Sequence, residues 1–199
     1  MKQFNLALSG LGGQGIMTVS QVLAAAAARE NVRVLLFEGT GISQRGGGVF
    51  GFVRLGDSSS PKIPINGAEA VISLEISEIA GVIQYLRPGG EVWANSGRIH
   101  GYYSKLHPHL YPAEEKIIEM IKLKTGQIHL IPADRLAEEA GSAQAVNMTM
   151  LGAFSSKNPL FNMDSITWAI EDSNKKFAEK NLKAFRRGFE FAKNEGTSE

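Results

Sequence analysis

The length, composition and charge of the chain narrow its class before any motif is considered. Its 199 residues suit a single domain, and no linker or internal repeat divides them. The residues are 43% hydrophobic and 21% charged, as in an ordinary globular protein, and the net charge of +1 argues against a general nucleic-acid-binding surface. No apolar run approaches the roughly 18 residues that a membrane span needs. The N-terminus lacks a signal-peptide pattern, which predicts a cytoplasmic location.

The chain contains no cysteine. A disulfide or a cysteine-ligated iron–sulfur cluster on this chain is therefore excluded. The four histidines, at positions 100, 107, 109 and 129, have no spacing that suggests a zinc site, and no nucleophile elbow or Walker lysine is present. The sequence predicts no catalytic residue and no metal site on this chain.

The chain opens with a predicted strand, a glycine-rich loop and a helix. Apolar residues alternate over Phe4–Leu8, and Ile16–Glu30 has a helical pattern. The glycines between them match G-x-G-x-x-G, where free backbone N–H groups and the helix dipole favour an anion. The alternative is a loop that only packs the helix tightly on the sheet. The candidate residues for contact with a phosphate or cofactor are Gly10, Gly12, Gly13, Gln14 and Gly15.

Strands and helices alternate along the next part of the chain. Strands are predicted over 32–38, 71–75, 91–95 and 128–132, and helices over 76–86 and 114–123. The residues Arg87–Gly90 are expected to end the first of these helices. Such alternation predicts a Rossmann-like α/β fold, with a mainly parallel sheet and helices on both faces.

One predicted strand does not fit this alternation. Val49–Leu55 is rich in β-forming residues, but only the loop Gly39–Gly48 separates it from the preceding strand. A parallel crossover needs about a dozen residues or more. We therefore expect an antiparallel or edge strand here, as part of a small antiparallel β excursion that runs to about Ile65.

The last third of the chain, residues 133–193, is predicted to be helical within the same single domain. Helices are expected over 133–140, 146–154 and 165–172, and a longer one over 174–193. The longer one places Phe177, Leu182, Phe185 and Phe189 on one face, and lysines and arginines crowd the remainder. This pattern favours a solvated face over an aromatic core stripe. The alternative is a basic rim for a partner subunit or for coenzyme phosphates.

A second candidate site follows the second predicted strand. Glu38 ends that strand, where a Rossmann domain places its ribose-binding acid, although it follows Gly10 by 28 positions rather than about 20. The next loop carries five glycines and one cation, Arg45, which can bind a carboxylate or phosphate. The alternative is a hairpin in which Arg45 pairs with Glu38. The candidates here are Glu38, Gln44, Arg45, Gly46 and Gly47.

Three segments together resemble a known family. They are Gly10–Gly15, Glu38 with Gly41 and Gln44–Gly47, and Asn147–Ala153. On these residues the chain resembles, over roughly its whole length, the gamma subunit or domain of 2-oxoacid:acceptor oxidoreductases. It is most similar to the small, beta-named subunit of indolepyruvate:ferredoxin oxidoreductase, a branch that Ser60–Pro64 also matches. Thr40 stands where that branch often carries histidine, which bears on the 2-oxoacid used.

The resemblance implies a reaction that is shared with partner chains. In that family a 2-oxoacid is decarboxylated on thiamine diphosphate, electrons pass through iron–sulfur clusters to ferredoxin or a similar acceptor, and coenzyme A takes the acyl group. This chain lacks both cysteine and the glycine-aspartate-glycine signature. The thiamine diphosphate with its magnesium and the clusters are thus expected in partner subunits, and this chain on the coenzyme A side. The resemblance further implies that Glu38, Gln44 and Arg45 shape the interface with the thiamine subunit, and that Asn147 ties the C-terminal helix to the glycine-rich loops.

Other functions stay open at this point. Within the same class, the chain could be the gamma subunit of a phenylglyoxylate or other 2-oxoacid oxidoreductase. From a different class, it could be a stand-alone dinucleotide-binding or scaffold protein. A dinucleotide dehydrogenase is permitted by Glu38, but no catalytic acid–base pair is evident in the sequence.

Overall fold

The computed structural model describes residues 3–40, 47–98, 109 and 111–195. Within them, six strands form one sheet in the order β2-β3-β1-β4-β5-β6. The strands are β1 (Phe4–Leu11), β2 (Val34–Thr40), β3 (Gly48–Leu55), β4 (Ala68–Ser73), β5 (Leu86–Asn95) and β6 (Ile128–Ile131). Strands β1, β4, β5 and β6 pair in parallel, which confirms the predicted α/β fold with a mainly parallel sheet.

Strand β3 corresponds to the predicted strand Val49–Leu55, and the structure confirms that it runs antiparallel. It pairs with β1 from Phe4–Leu55 to Leu11–Gly48, and it also pairs antiparallel with β2. It therefore lies inside the sheet, and β2 forms the edge. Residues 56–67 add no further strand, so β3 alone makes the antiparallel excursion.

The segment after β3 is held by a buried arginine rather than by strand pairing. The Arg54 guanidinium donates to the carbonyl oxygens of Ser60 (2.8 Å) and Lys62 (2.9 Å), and its Nε donates to Asn5 Oδ1 at 2.8 Å. Because Arg54 is only 8% exposed, these bonds supply the partners that its buried charge requires. They fix the loop against the sheet without β structure.

Helices cover both faces of the sheet, as predicted. One face carries the larger core and five helices: α1 (Ile16–Arg29), α3 (Ala133–Glu139), α4 (Val146–Lys157), α5 (Met163–Ser173) and α6 (Ala178–Asn194). The other face carries a smaller core under α2 (Glu114–Lys122) and two short 3₁₀ segments. No helix in the described part of the chain has the length and apolarity that crossing a bilayer would require.

The predicted helix over 76–86 is wrong in type and extent. The chain forms 3₁₀ turns at Ile76–Gly81 and Ile83–Tyr85, and β5 already begins at Leu86. Gly81 and the β-branched Val82 are weak helix formers, and Val82 has a non-helical φ of −122°. The buried isoleucines of this segment pack on the sheet from short turns instead. Residues Arg87–Gly90, which were expected to end this helix, belong to β5, whose pairing shifts register at Ala68/Ala70.

The C-terminal helices α4 and α6 cross in unusually close contact. A Cβ atom on Gly152 would overlap the carbonyl oxygen of Phe185, and one on Gly188 would overlap that of Thr149. The predicted aromatic stripe is divided between core and surface. Phe185 is buried in the core, whereas Phe177 precedes α6 and is exposed.

Candidate functional site at the carboxyl edge of the sheet

The carboxyl ends of β1, β4, β5 and β6 meet at one edge of the sheet. After β1 the chain enters α1 on the face of the larger core, and after β4 it enters the 3₁₀ turns on the opposite face. The crevice between β1 and β4 is therefore the topological switch point, where open α/β sheets bind ligands. The glycine loop lies on one side of this crevice, and Leu74 and Glu75 lie on the other.

The glycine loop uses several of its own N–H groups internally. The Leu11 N–H donates to Gln14 Oε1 at 2.6 Å, and the Gln14 N–H donates to the Leu11 carbonyl at 3.1 Å. The Gly12 N–H donates to the Gly47 carbonyl at 2.9 Å. Three donors that a phosphate could have used are thus already bonded within the protein. The loop also needs glycine for its conformation, because Gly13 and Gly15 have φ values of +98° and +86°.

The Gln14 side chain spans the crevice. Its Nε2 donates to the Leu74 carbonyl at 3.2 Å, while its Oε1 accepts from Leu11. A Cβ atom on Gly10 would lie 2.8 Å from Gln14 Oε1. The first glycine of the motif therefore makes room for a side chain of the same loop.

The third glycine of the motif makes room for a more distant residue. Asn147, at the start of α4, donates from Nδ2 to the Gly15 carbonyl at 3.3 Å, and its Oδ1 accepts from the Met148 N–H at 2.9 Å. A Cβ atom on Gly15 would overlap the Asn147 amide nitrogen. The predicted tie between Asn147 and the glycine loop is present in the structure, and its contact with a cofactor stays a prediction.

A second amide, which the sequence analysis missed, lies on the other side of the crevice. The fully buried Asn95 ends β5 and donates from Nδ2 to the Leu74 carbonyl (3.3 Å) and to Asp134 Oδ2 (2.9 Å). Its Oδ1 accepts the N–H groups of Gly97 and Ala133, both at 3.1 Å. The sequence feature that could have identified Asn95 is its position as a polar residue at the end of a predicted buried strand. Gln14 and Asn95 converge on the Leu74 carbonyl and join the loops of four strands.

A buried carboxylate follows β4, and the sequence analysis also missed its role. Glu75 accepts bonds from the Ser77 N–H (3.4 Å), the Ser77 hydroxyl (3.2 Å) and the Tyr111 hydroxyl. Burial, reinforced by the bond to Glu75, raises the pKa of Tyr111 well above its usual value. Burial and, secondarily, the charge of Glu75 raise the pKa of Glu78. The Glu78 carboxylate lies against Gly48, where a Cβ atom would overlap it.

The structure separates Glu38 from the glycine loop. Glu38 lies within β2, exposed and opposite Gly51 of β3. Because β3 is inserted between β2 and β1, Glu38 is two strand spacings, roughly 10 Å, from β1. It is not adjacent to the glycine loop in the way that the ribose-binding acid of a Rossmann domain is.

The second glycine segment is described only at its end. Gln44, Arg45 and Gly46 lie outside the described residues, so the predicted contacts of the arginine loop stay predictions. Gly47 is described, and its carbonyl accepts the Gly12 N–H. The two glycine-rich segments of the sequence therefore meet at the carboxyl edge.

No group of three or more His, Asp or Glu side chains within the described ranges is arranged to hold a metal ion. An open groove of about 650 Å³ lies between α5 and α6, lined by Trp168, Leu182 and several charged residues. These helices contribute no residue to the edge described above. Among the described residues, the bonds that join the loops of this edge come mainly from the amides of Gln14, Asn95 and Asn147 and from the Glu75 carboxylate.

The fold and this edge define a cysteine-free α/β module with a glycine loop at its topological switch point. The chain belongs to the pyruvate ferredoxin/flavodoxin oxidoreductase family, whose model matches residues 5–191. This confirms the family resemblance predicted from the sequence.

The relatives and solved structures span almost the whole chain. It is 33% identical to the indolepyruvate oxidoreductase subunit IorB of Archaeoglobus fulgidus over 189 residues, which cover 94% of each chain. It is 29% identical to the pyruvate/ketoisovalerate oxidoreductases common subunit gamma of Thermococcus kodakarensis, over 90% of this chain and 92% of that one.

Two solved structures with low sequence identity share the fold. The keto/oxoacid ferredoxin oxidoreductase gamma subunit from Geobacter sulfurreducens superposes with a TM-score of 0.70 at 22% identity, covering 95% of this chain and 98% of that one. The 2-oxoglutarate:ferredoxin oxidoreductase from Magnetococcus marinus superposes with a TM-score of 0.71 at 22% identity. The match covers 98% of this chain but only 32% of that longer chain.

Proposed function

We propose that this chain is the small, gamma-type subunit of a 2-oxoacid:ferredoxin, or similar acceptor, oxidoreductase that converts an aryl 2-oxoacid of the indolepyruvate kind to its acyl-coenzyme A. The observation that carries the proposal is the end-to-end similarity to a subunit named indolepyruvate oxidoreductase IorB. The relative named for pyruvate and ketoisovalerate supports the same reaction class with a different 2-oxoacid.

The proposal assigns the redox chemistry to partner subunits. A chain without cysteine cannot hold a cysteine-ligated cluster, and no thiamine diphosphate signature is present in it. Thiamine diphosphate with magnesium and the iron–sulfur clusters would belong to the larger subunits. This chain would contribute surfaces, with Glu38, Gln44 and Arg45 at the interface with the thiamine subunit.

The coenzyme A side of the proposal relies on the outer surface of the glycine loop. The inner donors of Leu11, Gly12 and Gln14 are already bonded, whereas Gly13 is exposed and Met17, in the first turn of α1, is 45% exposed. The first turn of a helix leaves N–H groups without intrahelical partners and carries the positive end of the dipole. A coenzyme A phosphate would therefore approach this turn from outside rather than enter the crevice.

Purification of the native assembly tests the subunit assignment. Native mass spectrometry should show this chain bound to a larger, cysteine-containing subunit with its cofactors. Turnover with indolepyruvate, phenylpyruvate, phenylglyoxylate and pyruvate would rank the substrates, and indolepyruvate or phenylpyruvate should rank first. A chain that purifies alone, or an assembly that oxidises none of the four, would contradict the proposal.

A single added charge tests the proposed contact between coenzyme A and the first turn of α1. Met17→Glu places a carboxylate in the first turn of α1, where it complements the helix dipole but repels a phosphate. Gln21→Glu adds the same charge one turn later on the exposed side of α1. In the assembled complex, calorimetry should show coenzyme A affinity falling about tenfold for Met17→Glu and clearly less for Gln21→Glu. Unchanged affinity for Met17→Glu would exclude this contact.

A stand-alone dinucleotide-binding role is not favoured by the site. The pyrophosphate of a dinucleotide needs the loop donors at the switch point, but the Leu11 N–H is bonded to the Gln14 side chain, and the Gly12 and Gln14 N–H groups are bonded to the Gly47 and Leu11 carbonyls. Glu38 lies two strands away, so it is not placed for the ribose.

A further inference from the structure

The side chain of Gln14 holds the position that a ligand would take in a nucleotide-binding α/β fold. Its carboxamide lies between the glycine loop and the end of β4, with one bond to each side: Leu11 N–H to Oε1 at 2.6 Å and Nε2 to the Leu74 carbonyl at 3.2 Å. Because a glutamine amide has one acceptor and one donor end, it can bridge an N–H and a C=O that face each other.

The surroundings of Gln14 are shaped for this position. Gly10 leaves the space in which Oε1 lies, and a Cβ atom there would also come within 3.1 Å of Ile16 and Leu74. The Leu74 carbonyl receives a second bond from Asn95, and the Leu74 N–H donates to the Ser9 carbonyl at 2.8 Å. The Gln14 side chain is thus attached to a fully buried residue whose polar groups are already fixed to the sheet.

We propose that Gln14 is a positioning residue that closes the switch-point crevice from within. Its amide holds the Leu11–Gly15 turn against β4, presents the exposed Gly13 and Met17 in one fixed arrangement, and excludes a nucleotide pyrophosphate from the crevice. The inference concerns the loop of this chain alone, so it stands or fails separately from the proposed subunit role.

Amide hydrogen exchange of the full chain, measured residue by residue by NMR, tests the first bond of the Gln14 bridge, from the Leu11 N–H to Gln14 Oε1. In the wild type the Leu11 N–H should be protected, and Gln14→Ala should lower its protection factor about fivefold, since one net hydrogen bond is worth on the order of 1 kcal/mol. Gln21→Ala, on the exposed side of the same helix, is the matched control and should change nothing at Leu11. Equal protection of Leu11 in wild type and Gln14→Ala would overturn the proposal.

Gln14→Glu tests the second bond of the bridge, from Gln14 Nε2 to the Leu74 carbonyl. The substitution keeps an acceptor for the Leu11 N–H but places a carboxylate oxygen against the Leu74 carbonyl. Protonation turns that oxygen into a donor, so the thermal midpoint of this variant should recover towards the wild type as the pH falls. Neither the wild type nor Gln14→Ala should show this extra pH dependence, and a merely space-filling side chain would not produce it. A Gln14→Glu variant that follows the wild type at every pH would count against the bridge.

The exclusion of ligand is tested with inorganic pyrophosphate as the probe. Titration into the wild type should leave the resonances of the Leu11 N–H and of the Gln14 side-chain amide unshifted, even if an anion at the outer turn shifts Gly13 and its neighbours. Saturable shifts at the Leu11 N–H and the Gln14 side-chain amide would show that an anion displaces the Gln14 side chain, and the crevice would then be open.

Discussion

In two regions of this molecule, glycine allows another group to pack directly against the backbone. The regions differ in whether that group is a side chain or the backbone of another helix. At the carboxyl edge, Gly10 and Gly15 make room for the amides of Gln14 and Asn147. At the crossing of α4 and α6, Gly152 and Gly188 make room for backbone carbonyl groups. A side-chain amide can rotate away from an added methyl group, whereas a helix backbone can yield only if the whole helix shifts. The same residue type therefore carries very different energetic weight in the two places.

The helix crossing should show the largest effect. Gly188→Ala would place a methyl group on the Thr149 carbonyl oxygen and force α6 away from α4, at a cost of roughly 3 kcal/mol in the free energy of unfolding. Gly126→Ala, where no atom lies within 4 Å of the new methyl group, should change stability by less than about 0.5 kcal/mol. Urea denaturation measures both, and similar losses for the two variants would show that the close crossing carries no special cost.

Gly15→Ala should show the next largest effect. Its φ of +86° disfavours any L side chain by about 1–2 kcal/mol, and the new methyl group would displace the Asn147 amide. Adding Asn147→Ala should remove only the second part of the loss. A double mutant that returns to the stability of Asn147→Ala alone would show that backbone strain at position 15 is negligible.

Gly10→Ala should cost less, about 1 kcal/mol, because its φ is ordinary and the closest atom belongs to the Gln14 side chain. In a double-mutant cycle with Gln14→Ala, the two losses should be clearly less than additive. Strict additivity in denaturant unfolding would mean that Gly10 does not act by making room for Gln14.

The smallest effect is expected from Glu78, the ionisable side chain that lies against Gly48. Burial and the charge of Glu75 raise the pKa of Glu78 in the folded protein, so the fold favours its neutral form. Neutral Glu78 contributes fully to the stability of the folded protein below the pKa that it has in the unfolded chain. This contribution is lost as the pH rises through the pKa that Glu78 has in the folded protein. Glu78→Gln should therefore match the wild type at low pH and exceed its thermal midpoint near neutrality. A constant difference across the pH range would contradict this.

Local patterns predicted most of the fold but few of the contacts at the site. The β1, loop and α1 unit was predicted because its alternation, glycines and helix pattern lie in one short stretch, and the length of loop 39–48 predicted the direction of β3. The helix over 76–86 was wrong because packing on the sheet overrode a marginal propensity. The bonds of Gln14 to Leu74 and of Asn95 to Asp134 join residues 60 and 39 positions apart, beyond the reach of any local pattern.

The insertion of β3 between β2 and β1 has a consequence for how this protein forms during its synthesis. The neighbours of β1 in the sheet are β3 and β4, so the first forty residues contain no strand-to-strand ladder of their own. Translation of the 44 residues from Leu11 to Leu55 takes roughly 2–9 s at about 5–20 residues per second. Until β3 has been synthesised, β1 has no strand in the sheet to pair with.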